Sequence, residues 1–506
     1  MRAKILSLDA LEKELAKLRA AGRRIVLCHG VFDLLHPGHI LHFKAARERG
    51  DVLVVTVTPD CYINKGPGRP TFPQRWRLES IAALEVVDFV ALNEWPTAVE
   101  TIQKLRPSVY AKGSEYANPS DDLTGKIVDE RRAVEAYGGE VVFTSEVTFS
   151  SSNLINRHFT RFSPQTEQYL AEFRSRHPAK GVLDVFGRFS DLDVLVVGEA
   201  ILDQYCYCHP LGKVPKETII AARSISDENF AGGSLAIANH LAGFCRSVTL
   251  VTTLGVDTRW DDFIRSKLRP NVKLRAVRRP DVMMITKRRY VEATFLVKLF
   301  EIQAVPDAPL TPAAEADVLE ILDEELPRHP FVLVADYGHG LLTERLRAAV
   351  CASNRFVAVN TQTNSANYGF NTATKYGRSD YICLHEGELK LSLRVQYGEI
   401  PELGRRLRDL TRARVLTVTR GPFGSLTILE DGSIIETPAF ASRTVDRVGA
   451  GDAYFAITAL CVYGKEPPDV VGFIGNCVGS LAVEIVCNRE PIDPIALKKF
   501  IMATLA

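Results

Sequence analysis

Residues 24–58 read RIVLCHGVFDLLHPGHILHFKAARERGDVLVVTVT. Two apolar, β-rich runs, 25–28 and 52–57, flank a stretch from Ile40 whose apolar residues recur at helical spacing. Gly30 and Gly38 permit close backbone approach, and Pro37 fixes a turn that opens the helix. Strand, turn, helix, strand predicts a parallel pair joined by a crossover helix. His36 and His39 fall on that turn, at a helix N-terminus, where unpaired amide N–H groups attract phosphate. Paired donors there suit charge that builds on a phosphorus centre during transfer. A histidine pair on a turn also occurs as packed structural imidazoles, and the rest of the chain decides between the two.

The alternation continues through VDFVALN, SVYAKGS and GEVVFT to about residue 143, which predicts a small α/β domain over 1–160. Residues 161–188 turn polar, basic and helical and read as a linker. A fresh buried strand in LDVLVVGEAILD opens a larger α/β domain over 189–506, with further strands in SVTLVTTLG, FVLVADYG, FVAVNTQ, DYICLHE and RVLTVTRG. Two strips, 204–230 and 283–303, alternate polar and apolar residues instead, as a small lid sheet exposed on one face does.

A chain of 506 residues exceeds one core and is expected to form two or three domains. Its 62 Lys and Arg against 61 Asp and Glu give a net charge of +1, which argues against a nucleic-acid groove or an anionic membrane surface. Charges interrupt the first twenty residues, unlike a secretory signal, and the apolar stretch from Val470 is too short to span a bilayer. The ten cysteines form no CxxC and no metal spacing. A soluble, cytoplasmic protein with reduced thiols is expected.

CHGVFDLLHPGHILHFKAARERGD, residues 28–51, resembles the HxGH nucleotidyltransferases, the family of cytidylyltransferases and heptose-phosphate adenylyltransferases. The resemblance continues in order through NKGPGRPTFPQRWRLESIAALEVVD (64–88), VYAKGSEY (109–116) and FSSSNLI (149–155). It implies a Rossmann-like domain in which His36 and His39 contact the nucleotide phosphates and Lys65 closes over the triphosphate. Gly30, Phe32, Arg77, Lys112, Ser150, Ser151 and Ser152 would complete the nucleotide site, while Asp33 shapes the turn. Arg75 stands where adenylyltransferase relatives tend to carry an acid. The implied reaction is attack by a phosphomonoester oxygen on the α-phosphorus of ATP or CTP, with pyrophosphate leaving and Mg²⁺ on the triphosphate.

TVDRVGAGDAYFAITAL, residues 444–460, sets a Gly-Ala-Gly turn before a helix, with Asp452 in its first turn. The amides of Gly449, Ala450 and Gly451 can face a phosphoryl group, and Asp452 can accept a hydroxyl proton or act as an N-cap. D-x-x-G-A-G-D is similar to the ribokinase-like (PfkB) sugar kinases, whose catalytic aspartate closes this motif. VVGEAILDQY with Asp203, AGGSLAIAN with Gly232, Gly233 and Asn239, VADYGHG with Asp336, and VTRGPFG follow in family order. The resemblance implies a ribokinase-like fold and ATP as phosphoryl donor. Asp203, Gly232, Gly233 and Asn239 would bind sugar hydroxyls, and Arg420, Gly421, Gly424 and Asn476 the nucleotide. Lys287 and Arg289, alternating on a lid strand, would grip a phosphate already on the sugar or form a solvated face. The family's N-x-x-E, which helps organise Mg²⁺, appears as HEGE, with His385 replacing the asparagine and Glu388 retained to act through water. VNTQTN, 359–364, replaces a D-P-K-like strand end.

Two such halves resemble the bifunctional heptose-phosphate kinase and adenylyltransferase family with the domain order reversed. The resemblance implies phosphorylation of a sugar or sugar phosphate and its coupling to a nucleotide, as in ADP-heptose biosynthesis, in a homodimer paired through the lid. Two other readings stay open: a CTP-dependent polyol-phosphate cytidylyltransferase fused to a polyol kinase, and a ligand-binding module with one decayed site.

Overall fold

Successive residues of the first apolar run enter different cores: Ile25 and Leu27 pack with Leu11, Leu15 and Ile102, whereas Val26 and Cys28 pack with Phe43 and Ile81. A strand buried on both faces is the reason its sequence reads as a continuous apolar run. The computed structural model of the protein describes residues 4–63, 70–113, 126–144 and 162–505. Contacts divide the chain into two units, residues 1–163 with 498–506 and residues 164–497.

The first unit holds strands Ile25–Gly30 (β1), Val52–Val57 (β2), Phe89–Leu92 (β3), Val109–Gly113 (β4) and Glu140–Thr144 (β5). They form an all-parallel sheet in the order β3-β2-β1-β4-β5. The chain winds outward from β1 in one direction and returns to β4 on the other side. The carboxyl ends of β1 and β4 therefore flank a topological switch point, where open parallel sheets take up ligands. Helix Pro37–Arg47 starts there, with Pro37 in its first turn and His36 as its N-cap.

The second unit contains Asp193–Gly198 (β6), Ala200–Lys213 (β7), Ile220–Gly233 (β8), Ser247–Leu254 (β9), Val272–Arg278 (β10), Thr286–Glu292 (β11) and Val297–Ala304 (β12). Phe331–Asp336 (β13), Phe356–Thr361 (β14), Tyr381–His385 (β15), Val415–Thr419 (β16), Ser425–Ile428 (β17) and Ile434–Thr437 (β18) follow. The main sheet runs β10-β9-β6-β13-β14-β15-β16-β17-β18, parallel through β16 and antiparallel beyond. Its switch point lies between β6 and β13. The two alternating strips form the separate lid, β12-β11-β7-β8. Helices Pro164–Arg176 and Ala179–Asp184, within the stretch read as a linker, fall in the second unit; Phe173 stacks on Phe473 at 4.4 Å, and His177 reaches Asp469 at 2.8 Å.

Two candidate active sites

In the first unit the chain leaves β1 through Phe32 in the left-handed region (φ 49°). The Phe32 ring folds back over Gly30, where a Cβ would lie 2.9 Å from the ring tip, so a side chain at this position would push the ring aside. Phe32 sets its edge against His39 at 5.3 Å, and His39 stacks on His36 at 4.0 Å. Nδ1 of His36 accepts the Gly38 N–H at 3.1 Å, as the N-cap of the helix. That bond puts the proton of the neutral ring on Nε2, which is buried with no partner among the described residues. Burial also lowers the His36 pKa, which favours the neutral ring. A preset N–H donor at a helix N-terminus on a switch point can stabilise an anion. Asp33 accepts the Phe72 N–H at 3.0 Å and ties the next loop to this turn, as its assignment to turn geometry expected.

Arg77 does something other than the phosphate contact expected of it. Its buried guanidinium donates to the carbonyls of Val31, Thr58 and Phe72 and to the Asp60 carboxylate, at 2.5 to 3.0 Å. With those donors committed, it clamps the carboxyl ends of β1 and β2. Lys112 lies 3.1 Å from Glu130, so its charge is balanced inside the unit. Arg75 points to solvent and pairs with Glu79 at 2.9 Å. Lys65, Ser150, Ser151 and Ser152 lie outside the described residues.

In the second unit Gly449 enters helix Ala450–Tyr463 with φ 84°; a Cβ there would fall 2.1 Å from Asn488 Oδ1. Gly451 faces open space, and the first amides of the helix have no helical acceptor. Asp452 is buried beneath them, with Oδ1 accepting the Tyr337 hydroxyl at 2.8 Å. Burial pushes its carboxyl up to about 7; the Tyr337 hydrogen bond pulls the other way and the charge of Asp203 adds to the rise. Asp446 instead anchors the lid: it accepts from Tyr205 on β7 at 2.6 Å, Lys298 on β12 at 2.5 Å, and the Val448 and Cys487 amides.

Asp203, from the lid, pairs with Arg289 at 2.5 Å, and Arg289 also grips Glu301 at 2.6 Å. A Cβ on Gly232 would fall 1.9 Å from Asp203 Oδ2, so the glycine exists to let this carboxylate sit against the backbone. Gly233 (φ 59°) turns β8 into helix Ser234–Ala242, with Glu199 and Ile201 packed where a Cβ would go. Lys287 is 6% exposed and has no hydrogen bond or ion pair among the described residues. Burial holds its ammonium below the ordinary lysine range against the pull of Asp203, Glu301 and Asp452. Nε2 of His339 is buried and has no partner among the described residues, and burial, with the nearby Lys287 charge, holds its ring down to about 4. This pocket sets a carboxylate beside a buried ammonium and a buried imidazole nitrogen that have no partner among the described residues, an arrangement that can activate a hydroxyl on an anionic molecule.

Residues 191–489 match the family model described as pfkB family carbohydrate kinase, more than half of the chain, and residues 27–157 match the cytidylyltransferase-like model. The chain belongs to the pfkB family. "Bifunctional protein HldE" of Pelobacter propionicus is 37% identical over 163 residues, 32% of this chain and 32% of that protein. The same-named protein of Methylobacillus flagellatus is 38% identical over 157 residues, 30% and 31% of the two chains. These matches fall on the cytidylyltransferase-like domain, and the chain spans about a third of the length of these curated relatives. The crystal structure of phosphofructokinase-2 from Escherichia coli in complex with potassium superposes on 62% of this chain and 99% of its own, with 16% identity and a TM-score of 0.50. That likeness is one of fold: a ribokinase-like α/β unit with a β lid.

Three residues assigned to the sugar and nucleotide pockets of this pfkB-family unit make hydrogen bonds within the protein. The Asn239 amide donates to the Lys267 carbonyl at 2.8 Å and accepts the Arg269 N–H at 2.9 Å, so one of its donors and its oxygen fasten a loop to its helix. Both amide hydrogens of Asn476 are used internally, on Ser425 Oγ and the Gly472 carbonyl, which leaves none for adenine. Arg289 spends Nη1 on Asp203 and Nε on Glu301 and so holds Asp203 in place; of the lid pair, Lys287 is the one with no partner among the described residues. Arg420 lies 3.5 Å from Glu386, Gly421 (φ 55°) faces open space, and Gly424 (φ 81°) packs against the Thr437 carbonyl. His385 and Glu388 form a capping box on helix Glu386–Leu393. Both Glu388 oxygens accept backbone N–H groups, from His385 at 2.7 Å and Thr363 at 3.0 Å, and burial pushes the carboxyl up to about 7.

Besides His339, two residues absent from the sequence reading complete this site. Tyr337 reaches Asp452, and Glu199 accepts the amides of Tyr337, His339 and Leu341 at 3.0 to 3.3 Å. Glu199 follows β6 and Tyr337 follows β13, so they meet at the switch point; the DY of VADYGHG was the signal available.

Proposed function

We propose that the chain is a bifunctional enzyme of sugar-nucleotide biosynthesis. The second unit phosphorylates a sugar phosphate with ATP, and the first couples a sugar phosphate to a nucleotide to give an ADP-heptose-like product and pyrophosphate. The observation that carries the kinase reading is Asp452, buried at the head of its helix beside an unpaired Lys287. The acceptor hydroxyl passes its proton to Asp452, its oxygen bonds to the γ-phosphorus, and the bond to ADP breaks. Lys287 and His339 Nε2 supply donors for a phosphate already on the acceptor, while Asp203 binds its hydroxyls. The likeness of the first domain to HldE proteins supports ATP as nucleotidyl donor and a heptose phosphate as acceptor.

The donor set fits Mg²⁺ carried by the nucleotide. Among the described residues no three His, Cys, Asp or Glu side chains converge to hold an ion, and the amide-bonded Glu388 fits contact through water. Bound to the triphosphate, Mg²⁺ neutralises charge on the oxygens around the reacting phosphorus. A homodimer through the lid agrees with edge strand β12, whose Val297, Phe300 and Ile302 are more than half exposed.

The test is a panel of heptoses, hexoses, polyols and their phosphates, with ATP and CTP, scored for ADP formation and pyrophosphate release. Both products are expected, with ATP, on sugar phosphates. Pyrophosphate with CTP alone selects a cytidylyltransferase, and neither product with any pair overturns the proposal. Gly232→Ala tests the acceptor pocket: its Cβ displaces the Asp203 carboxylate, so kcat/KM for the acceptor is expected to fall about a hundredfold. The KM for ATP should stay within about twofold, because Gly232 touches only the acceptor side.

A further inference from the structure

We propose that Tyr337 is a positioning residue of the kinase unit, held at each of its three polar points so that its hydroxyl fixes one oxygen of Asp452 and leaves the other to face the acceptor. The inference rests on the reading of Asp452 as the base and goes beyond it. Tyr337 is fully buried. Its N–H donates to Glu199 at 3.0 Å. Its carbonyl accepts from the side chains of Asn364 at 2.8 Å and Asn367 at 2.7 Å. Its hydroxyl donates to Asp452 Oδ1 at 2.8 Å.

The support continues outward. Asn367 Oδ1 accepts the Asn364 N–H at 2.8 Å, and Asn371 donates to the Asp336 carbonyl at 2.8 Å. Asp336 in turn accepts the Tyr376 hydroxyl at 2.6 Å and pairs with Lys375 at 2.5 Å. Gly338 must lack a side chain, because a Cβ there would stand 2.2 Å from the Asn367 amide. The asparagine-rich stretch that begins in VNTQTN, the departure for which the proposed reaction had no use, is thus the clasp that holds the tyrosine.

A carboxylate in the first turn of a helix is free to rotate about two bonds, and a phenol held at both ends of its residue removes that freedom. When the acceptor O–H breaks, its proton goes to Oδ2 of Asp452 and its electron pair forms the bond to the γ-phosphorus as the bond to ADP breaks. The donated hydrogen bond on Oδ1 favours the ionised carboxyl that must be present beforehand. The other titratable groups acting on Asp452 are Asp203 and Lys287 from the lid and Glu388 from helix Glu386–Leu393.

Tyr337→Phe keeps the ring and removes the donor. On the full chain, the acid limb of the pH profile of kcat should move up by about one unit. At pH 7 kcat should fall about tenfold, and the KM for ATP should stay within about twofold. A Tyr337→Phe enzyme with its limb unmoved and its kcat within twofold overturns the proposal. Failure of the base reading looks different: Asp452→Asn then keeps its turnover, and the tyrosine proposal falls with it. Should Tyr337→Phe not fold, Asn367→Ala removes one anchor and leaves the hydroxyl; it is expected to lower kcat at least threefold with the KM for ATP unchanged, and an unchanged kcat overturns the proposal.

Discussion

Asp452→Asn is expected to lower the rate of ATP-dependent phosphorylation by about 10²–10⁴-fold, the range that a positioned general base contributes. The amide has nearly the volume of the carboxyl and can still accept the Tyr337 hydroxyl through its oxygen, so the pocket keeps its shape. What it cannot do is accept the acceptor's proton. ATP should bind with unchanged affinity, since the helix amides above Asp452 are backbone groups. Pyrophosphate release by the first unit, whose reacting groups belong to another sheet, should be unaffected and serves as the internal control. The wild-type profile carries a second signature. Burial pushes the Asp452 carboxyl up to about 7, and only its ionised form can take a proton. Phosphorylation is therefore expected to rise with pH through about 7 and level off above it. A profile that fell across that range, or an Asp452→Asn enzyme with wild-type turnover, would remove the base from the mechanism.

The backbone of both sites was legible because each rests on local chemistry. Val and Ile runs on either side of a glycine-containing turn specify a buried strand and a crossover helix, and Pro37 and Gly449 mark the two helix starts on which the sites are built. The lid was legible for a different reason: 204–230 and 283–303 alternate polar and apolar residues and form a sheet of their own, although β12 and the first half of β8 are open on both faces and not on one as expected. Long-range side-chain satisfaction was not legible. Tyr337 and Asp452 lie 115 residues apart, and no spacing announces their hydrogen bond. Arg77 has the residue type of a phosphate ligand, yet two carbonyls at strand ends and a third in the loop at Phe72 use its donors first. Lys287 and Arg289 look equivalent in TKRRYVE; Arg289 meets two acids across the lid, and Lys287 meets none close enough to pair. Residue type and motif point to the groups a site requires, and the hydrogen bonds decide which of them are still free to act.

The first unit has its largest expected effect at a histidine. His36→Ala should lower nucleotidyl transfer, measured as pyrophosphate release, by about 10²–10³-fold, with phosphorylation by the second unit unchanged. The cause is proton placement. Because Nδ1 is occupied by the Gly38 N–H, the neutral ring carries its hydrogen on Nε2, where no protein acceptor among the described residues competes for it. A donor already buried and aimed needs no reorganisation when negative charge grows on the phosphorus oxygens. His36→Ala removes that donor and an N-cap at once, and the two losses can be separated. His36→Asn keeps a capping oxygen for the Gly38 amide and should restore helix stability without restoring transfer. Burial lowers the His36 pKa, so the neutral ring is the working form and the rate should not fall as pH rises from about 6 to 8. An imidazolium donor would show that fall. A rate lost over that interval would therefore mean that a positive charge on His36, and not the aim of its neutral N–H, stabilises the transferring phosphorus.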